Sequence, residues 1–345
     1  YLDGNGSSRF LAYNVALDLG VMAHTVRALA SGAAALKTLN ELSSSDAELV
    51  TRLQKLLQRL PNGGDPMLDA DGGLAEWGSN GRDQKSLMSA DDGHRHFSHL
   101  YPLHPGDGIE PATQPSLAQA ARHSLLRRLK NGGGHTGWSA AWASSLWARL
   151  YDGGYAHAAL RYTLHEFASI SLLGLHPKLR GNGGDSSGGR SQVKCMTCVH
   201  RVGGPGEGIF QLDANGGYSA AVGEMLLQSH TPSCNVHLLP ALPPAWPDGE
   251  ASGLRARGAL TVDMAWSSGR LKTVVVARAP PSTADATIVH PFDKAVSVCC
   301  SKRICGSEQP AAVGGAGVRL LGSDDAALWA WQIELSKSEL WRASL

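Results

Sequence analysis

Apolar positions in residues 8–60 recur with a helical period: Leu11, Val15, Val21 and Val26, then an Ala-rich stretch to Leu39. Ser44 or Ser45 offers a cap to a second helix whose stripe is Ala47, Val50, Leu53, Leu56, Leu57 and Leu60, and Pro61 stops it. Residues 61–111 cluster Gly, Pro and Asp and read as loop. Helical periodicity returns over about Pro115–Lys130, closed by Asn131-Gly132-Gly133. Further helices are expected over about Trp138–Leu150, with Trp138, Trp142 and Leu146 on one face, over about Ala156–Leu173 after Asp152-Gly153-Gly154, and over about Tyr218–Gln228. From Val236 the pattern changes. Leu260, Val262, Met264 and Trp266 alternate, as do Leu271, Thr273, Val275 and Ala277, and Ser267-Ser268-Gly269 between them is a hairpin signal. Ile288, Val296–Val298, Val318–Leu321 and Leu328–Ile333 supply shorter strands.

Helical hairpins followed by strands divide the chain into a mainly α unit over 1–230, interrupted by a Gly- and Ser-rich insertion at 176–209, and a β domain over 235–345. A length of 345 residues fits two such domains. A helical solenoid or a closed (α/α) barrel suits the first part, and the lack of a fixed-period repeat argues against TPR or HEAT arrays. Lys+Arg 31 against Asp+Glu 30 gives a net charge of +1, which removes the electrostatic case for a nucleic-acid or membrane-surface partner. No stretch reads as the roughly 18 apolar residues of a membrane span. The chain starts at Tyr1 without a signal-sequence pattern, so a processed or partial piece of a longer protein is expected.

The six cysteines, Cys195, Cys198, Cys234, Cys299, Cys300 and Cys305, allow 15 pairings. Structural disulfides are the expectation, with one tying down the insertion. Free thiols, or metal or redox use of Cys195 and Cys198, are the alternatives. Asn5-Gly6-Ser7 is a glycosylation sequon and points to a secretory route.

Candidate chemistry concentrates in two segments. Asp91–Tyr101 holds His94, Arg95, His96 and His99, which suit a metal, a sugar pocket or a polar loop that satisfies its own backbone. The spacings of these histidines are not the four-residue helical spacing of a zincin. Ile209–Gly217 places Asp213 and Asn215 before Gly216-Gly217, where the backbone can approach a ligand. The competing reading is an Asx-turn or N-cap for a helix from Tyr218. Glu76-Trp77 and Thr136-Gly137-Trp138 set aromatics beside turns, for sugar stacking or for core filling.

The blocks His94–Tyr101, Pro105-Gly106, Thr136–Ser139, Leu146–Leu150, Phe210–Asp213, Glu224–Ser229, His237–Pro243, Trp246–Gly249 and Gly253–Gly258 together resemble, in order over roughly residues 60–275, glycoside hydrolase family 95. Members of that family are inverting α-L-fucosidases, and some act on α-L-galactosides. The resemblance implies a mainly α fold, half of an (α/α)₆ toroidal barrel, followed by a small antiparallel β-sandwich. It implies that Asp213 is the carboxylate polarising the asparagines that handle water. Arg95 and His96 then line a pocket for terminal α-L-fucose, with Asn215 and Trp138 as further sugar contacts and no metal or cofactor.

The family's general-acid Glu and its asparagines lie in blocks expected before Tyr1. The N-terminal half of the same protein, in the same polypeptide or as a separate chain, is therefore the expected partner beside a fucosylated glycan. Asp213 is expected deep in a polar pocket facing Arg95 and His96, and the stripe of residues 8–60 against polypeptide outside this chain. The expected location is extracellular or in the secretory route, with the cell surface, lysosome or vacuole as variants. Two departures stand out: Asp213-Ala214-Asn215-Gly216-Gly217 replaces the family's Asp-Gly-Asn-Phe-Gly, and the insertion separates His176-Pro177 from Phe210-Gln211. They leave room for a catalytically reduced relative that serves as a glycan-binding or structural extracellular subunit.

Overall fold

The structure, a computed structural model, describes residues 15–77, 93–176, 209–231, 236–278, 295–301, 312–313, 316–321, 328–334 and 340–344. The sequon, Ile288, Cys195, Cys198, Cys234, Cys305 and the interior of the insertion lie outside these residues.

Six helices come first: α1 (Ala16–Thr38), α2 (Ser44–Leu57), α3 (Pro115–Lys130), α4 (Gly137–Arg149), α5 (Gly153–Phe167) and α6 (Leu212–Leu226). Their starts follow local chemistry. Ser43, one residue ahead of the expected cap, accepts the Asp46 N–H at 3.1 Å. Pro115 opens α3 with its φ already helical. Thr136 caps α4 and Asp152 caps α5.

α4 is the central element, with every residue except Trp138 buried. α6 lies parallel to it and is fastened at both ends. At the N-terminal end, Gln211 Oε1 accepts the Trp138 N–H at 3.0 Å. At the other end, Arg149 meets Glu224 through Nε–Oε2 at 2.6 Å and Nη2–Oε1 at 3.0 Å. Arg149 Nη1 also donates to the Leu103 and Gly106 carbonyls at 3.1 and 3.0 Å, so this buried charge is both paired and hydrogen-bonded. Between them α5 runs back, bringing Phe167 to the start of α4. Two parallel helices, α4 and α6, are thus joined by the antiparallel return of α5.

Two helix ends differ from the sequence expectation. α5 stops at Phe167 rather than near Leu173, and 168–174 form a loop closed by an Ala168–Gly174 bridge. α6 starts at Leu212 rather than Tyr218, so Gly216-Gly217 is helix and not a turn. The cause is packing: a Cβ on Gly217 would stand 2.9 Å from the Ala141 Cβ, and only glycine lets α6 come this close to α4.

The insertion's ends are held together by β1 (Leu175–His176) and β2 (Ile209–Phe210), antiparallel partners. The remaining strands are β3 (Leu227–Gln228), β4 (Val236–Leu238), β5 (Gly249–Ala256), β6 (Leu260–Ser267), β7 (Arg270–Arg278), β8 (Ala295–Ser301), β9 (Ala312–Val313), β10 (Ala316–Leu321), β11 (Leu328–Glu334) and β12 (Leu340–Ser344). They form two five-stranded sheets, ordered β10-β11-β8-β4-β3 and β5-β6-β7-β12-β9. All pairings are antiparallel except β4 with β8. Cys299 and Cys300 lie on β8. The alternating residues Leu260, Val262, Met264 and Trp266 bury one face of β6 against Val236, Leu238 and Val298 of the other sheet. The Ser268-Gly269 turn has φ of 53° and 70°, the left-handed pair of a two-residue hairpin.

α1 corrects one expectation. Its most apolar 18-residue window has a mean hydropathy of 1.2, so by length and composition it is sufficient to cross a membrane. In the fold it packs on α2 and buries Leu19, Gly20, Ala23 and Val26, while Val21, Met22, Leu29 and Leu36 stay exposed.

The neighbouring glycines of α6 give opposite outcomes. A Cβ at Gly216 meets nothing within 4 Å, so Gly216→Ala gains helix propensity and stabilises by about 0.5–1 kcal/mol. Gly217→Val drives methyls into Ala141 and Trp138 and destabilises by about 1–3 kcal/mol. Denaturant midpoints of the two variants check the contrast, and equal shifts of one sign would contradict this packing.

Candidate functional site

The segments singled out in the sequence meet at the N-terminal ends of α4 and α6. The loop Gly93–Tyr101 reaches this place because its base is fixed by a buried polar network. Glu76 Oε2 accepts from Arg128 Nη2 at 2.5 Å, and Oε1 accepts from Ser98 Oγ at 2.6 Å. His99 Nδ1 stands 3.9 Å from Oε1 of the same carboxylate. Burial pushes the Glu76 carboxyl up, but the neighbouring His99 and Arg128 and the two hydrogen bonds outweigh it and hold the group below its ordinary value. Burial pushes His99 down to about 4, so its ring is neutral near neutral pH. Glu76, read from sequence as part of an aromatic turn, is thus the anchor of the histidine loop.

The three histidines of that loop have three separate tasks. His99 is core. His94 Nδ1 accepts the His96 backbone N–H at 3.2 Å, and the two rings meet edge to face at 5.5 Å. His96 Nδ1 lies 2.8 Å from Ser139 Oγ on the first turn of α4. Burial, then the charges of Arg95, His94 and His135, lower the His96 pKa to about 4, and the Asp213 carboxylate acts in the opposite sense. Asp213 is thus within electrostatic reach of His96. Arg95 is exposed, and its carbonyl is held by the Gly134 N–H at 3.3 Å.

Asp213 is the second residue of α6 and is exposed. Its Oδ1 accepts the Ala214 N–H at 3.0 Å, and the helix N-terminus favours its negative charge. The expectation of a deep polar pocket is corrected: the first turn of α6 faces outward here, and Asp213 stands exposed with only the Ala214 N–H on its carboxylate among the described hydrogen bonds. Asn215 is spent on the 168–174 loop. Its Oδ1 accepts the Gly174 N–H at 2.6 Å, and its Nδ2 donates to the Leu172 carbonyl at 2.9 Å and to the Tyr218 hydroxyl at 2.8 Å. Trp138 is half-buried and stacks on Trp142 with centroids 5.3 Å apart. Around Asp213 and Asn215 lie large apolar side chains open to solvent, Ile170, Leu172, Ile209, Phe210 and Leu212. Among the described residues no three His, Cys, Asp or Glu side chains converge as a metal set.

Sequence reasoning missed Ser139, Gln211 and His135. Ser139 and Gln211 fall within the family-like blocks Thr136–Ser139 and Phe210–Asp213, but their partners, His96 and the Trp138 N–H, are 43 and 73 residues away. No local spacing signals such pairs.

Residues 5–226 match the glycosyl hydrolase family 95 catalytic domain, and residues 228–303 match the glycoside hydrolase family 95 C-terminal domain. The chain belongs to glycoside hydrolase family 95. Its relatives include the protein named alpha-L-fucosidase 2 of Arabidopsis thaliana, 32% identical over 267 residues, which covers 77% of this chain and 27% of the relative. The protein named probable alpha-fucosidase A of Aspergillus oryzae is 31% identical over 239 residues, 65% of this chain and 29% of the relative. Its namesake in Aspergillus niger is 27% identical over 209 residues, 56% and 22% respectively. This family 95 chain thus spans about a quarter of the length of the curated relatives it matches.

The buried groups set a pH dependence. His96 and His99 titrate near 4, His104 and His237 near 3 and His230 near 2 when folded, all lowered first by burial, whereas each takes up its proton near 6.5 once unfolded. Below about 6.5 the unfolded chain therefore binds more protons, and folding stability falls as the pH falls. Glu76, lowered in the fold, adds stability above its unfolded pKa that is lost as the pH drops through its folded value. The melting temperature should be flat above pH 7 and fall steadily from about pH 6.5 to pH 4. A melting temperature that stays level or rises over that interval would contradict the buried, neutral state of these rings.

Proposed function

We propose that the chain forms the C-terminal part of an inverting α-L-fucosidase site that is completed by polypeptide upstream of Tyr1. The observation that carries this reading is that α4 and α6 are joined at their N-terminal ends, where α4 holds His96 through Ser139 and the first turn of α6 carries Asp213 within electrostatic reach of that ring. The family membership and the relatives' names support the substrate class, a glycan ending in α-L-fucose.

In this reading the glycosidic oxygen receives a proton from an upstream general acid as the C1–O bond breaks. Water attacks C1 from the opposite face and gives up its proton on the basic side, with inversion. Asp213 polarises the upstream amide that positions this water. Its exposure and its place in the first turn of α6 leave the carboxylate free to do so. Arg95 and His96 hold the sugar. Trp138 borders the pocket through its exposed edge. Asn215 serves the site by holding the 168–174 loop.

The upstream part covers the exposed apolar faces, Val21, Met22, Leu29 and Leu36 on α1, Leu49 and Leu56 on α2, and Ile170, Phe210 and Leu212 beside Asp213. At 86% and 71% exposed, Ile170 and Leu212 are open enough to want such cover. The sequon and the cysteines favour the secretory route or the extracellular space. The two sequence departures favour the second reading, a catalytically reduced glycan-binding or structural relative.

The full-length protein with Asp213→Asn separates the two readings. Turnover of an aryl α-L-fucoside should fall by about 10²–10⁴-fold, as for loss of proton-transfer assistance, while stability changes by no more than about 1 kcal/mol. The first sugar released by the unmodified protein should be the β-anomer by NMR. Full turnover in the variant, or no turnover in the unmodified protein, would overturn the fucosidase reading.

A further inference from the structure

His96 reaches Ser139, and Ser139 reaches Thr136, in a chain of hydroxyls with no exit to water. Ser139 is fully buried and Thr136 nearly so. The Thr136 hydroxyl accepts the Ser139 backbone N–H at 3.2 Å as the cap of α4, and it donates its own proton to Ser139 Oγ at 2.9 Å. The Ser139 proton then has one acceptor within reach among the described residues, His96 Nδ1 at 2.8 Å. The reverse arrangement, with Nδ1–H donating to Ser139 and Ser139 donating to Thr136, would leave the Thr136 proton buried without a partner. An orphaned buried donor costs about 1–3 kcal/mol.

Counting protons therefore selects one state of the ring. We propose that Ser139 is a positioning residue that fixes His96 as its neutral Nε2–H tautomer, leaving Nε2–H as the ring's hydrogen-bond donor. The groups around the ring agree. Arg95 and His94 from its own loop and His135 from the next loop disfavour a second proton, and Asp213 on α6 acts in the opposite sense. His135 is itself held by donating Nδ1–H to the Gly132 carbonyl at 2.9 Å. A neutral Nε2–H suits an oxygen acceptor, either a sugar hydroxyl or the Asp213 carboxylate, and does not place a second positive charge beside Arg95. The role toward a sugar rests on the proposed function, whereas the tautomer rests only on the buried hydroxyl chain.

The test is long-range ¹H–¹⁵N NMR of the full-length protein carrying ¹⁵N-labelled histidine, with His96 assigned through His96→Gln. The expected result is a bare Nδ1 and a protonated Nε2 from pH 7 down to pH 5. Ser139→Ala removes a donor to the neutral ring, so the His96 titration should move upward toward the ordinary 6.5 and the fixed tautomer signature should be lost. Thr136→Ser keeps the hydroxyl chain and should leave both unchanged. Outer-shell groups that fix a histidine tautomer at metal sites are worth about 10–100-fold, and a loss in kcat/KM of that size is expected for Ser139→Ala. An Nδ1–H tautomer or an imidazolium in the unmodified protein at pH 7 overturns the proposal, as does a Ser139→Ala variant with unchanged titration. Should Ser139→Ala fail to fold, the spectrum of the unmodified protein decides alone. An inactive full-length protein with His96 in the Nε2–H state would defeat the fucosidase reading and leave this one standing.

Discussion

Ser139 and Asp213 stand where they do because α4 and α6 approach closely at their N-terminal ends. A Cβ on Gly137 would stand 2.8 Å from Gln211 Oε1 and 3.1 Å from the Ala214 Cβ, so the joint tolerates no side chain there. Within it, Gln211 supplies the acceptor that the Trp138 N–H lacks at the start of a helix. The same contact therefore satisfies a buried donor and sets the distance between the turn carrying Ser139 and the turn carrying Asp213. The Arg149–Glu224 pair fixes the opposite ends and keeps the two helices parallel.

The third arm of the site, the loop bearing Arg95 and His96, has no helix of its own and takes its position from a buried charge. Glu76 and Arg128 are each almost fully enclosed, and breaking such a pair leaves an uncompensated charge that costs several kcal/mol. Ser98 and His99 lie against the same carboxylate, so the loop is held one turn away from the residues proposed to meet the sugar. His99 at the base of the loop is buried, and Arg95 at its tip faces solvent.

Much of the fold was legible because periodicity reports burial. The helical period over Pro115–Lys130 matches α3 end to end, and the apolar alternation around Ser267-Ser268-Gly269 matches the β6–β7 hairpin. The errors come from residues whose role is set across the fold. Gly216-Gly217 has the local look of a turn, yet Ala141 on another helix decides that it is helical. The end of α5 was placed too late because Ile170, Leu172 and Leu173 continue an apolar pattern, although Asn215 and Tyr218 bind the Leu172 carbonyl and hold that segment as a loop. At the site, Arg95, His96 and Asp213 were visible as residue types in ordered blocks, whereas Ser139, Gln211 and the anchoring function of Glu76 depend on pairs far apart in sequence.

The central claim is that these residues form one side of a fucose pocket whose other side lies upstream. The most direct measurement is a crystal structure of the full-length polypeptide with L-fucose bound. The sugar should lie at the N-terminal ends of α4 and α6, within hydrogen-bond distance of Arg95 and His96 Nε2. Asp213 should then meet an upstream amide, with Ile170, Phe210 and Leu212 beneath upstream helices. Fucose bound elsewhere, or Asp213 and these apolar side chains still facing bulk solvent in the complete protein, would contradict it.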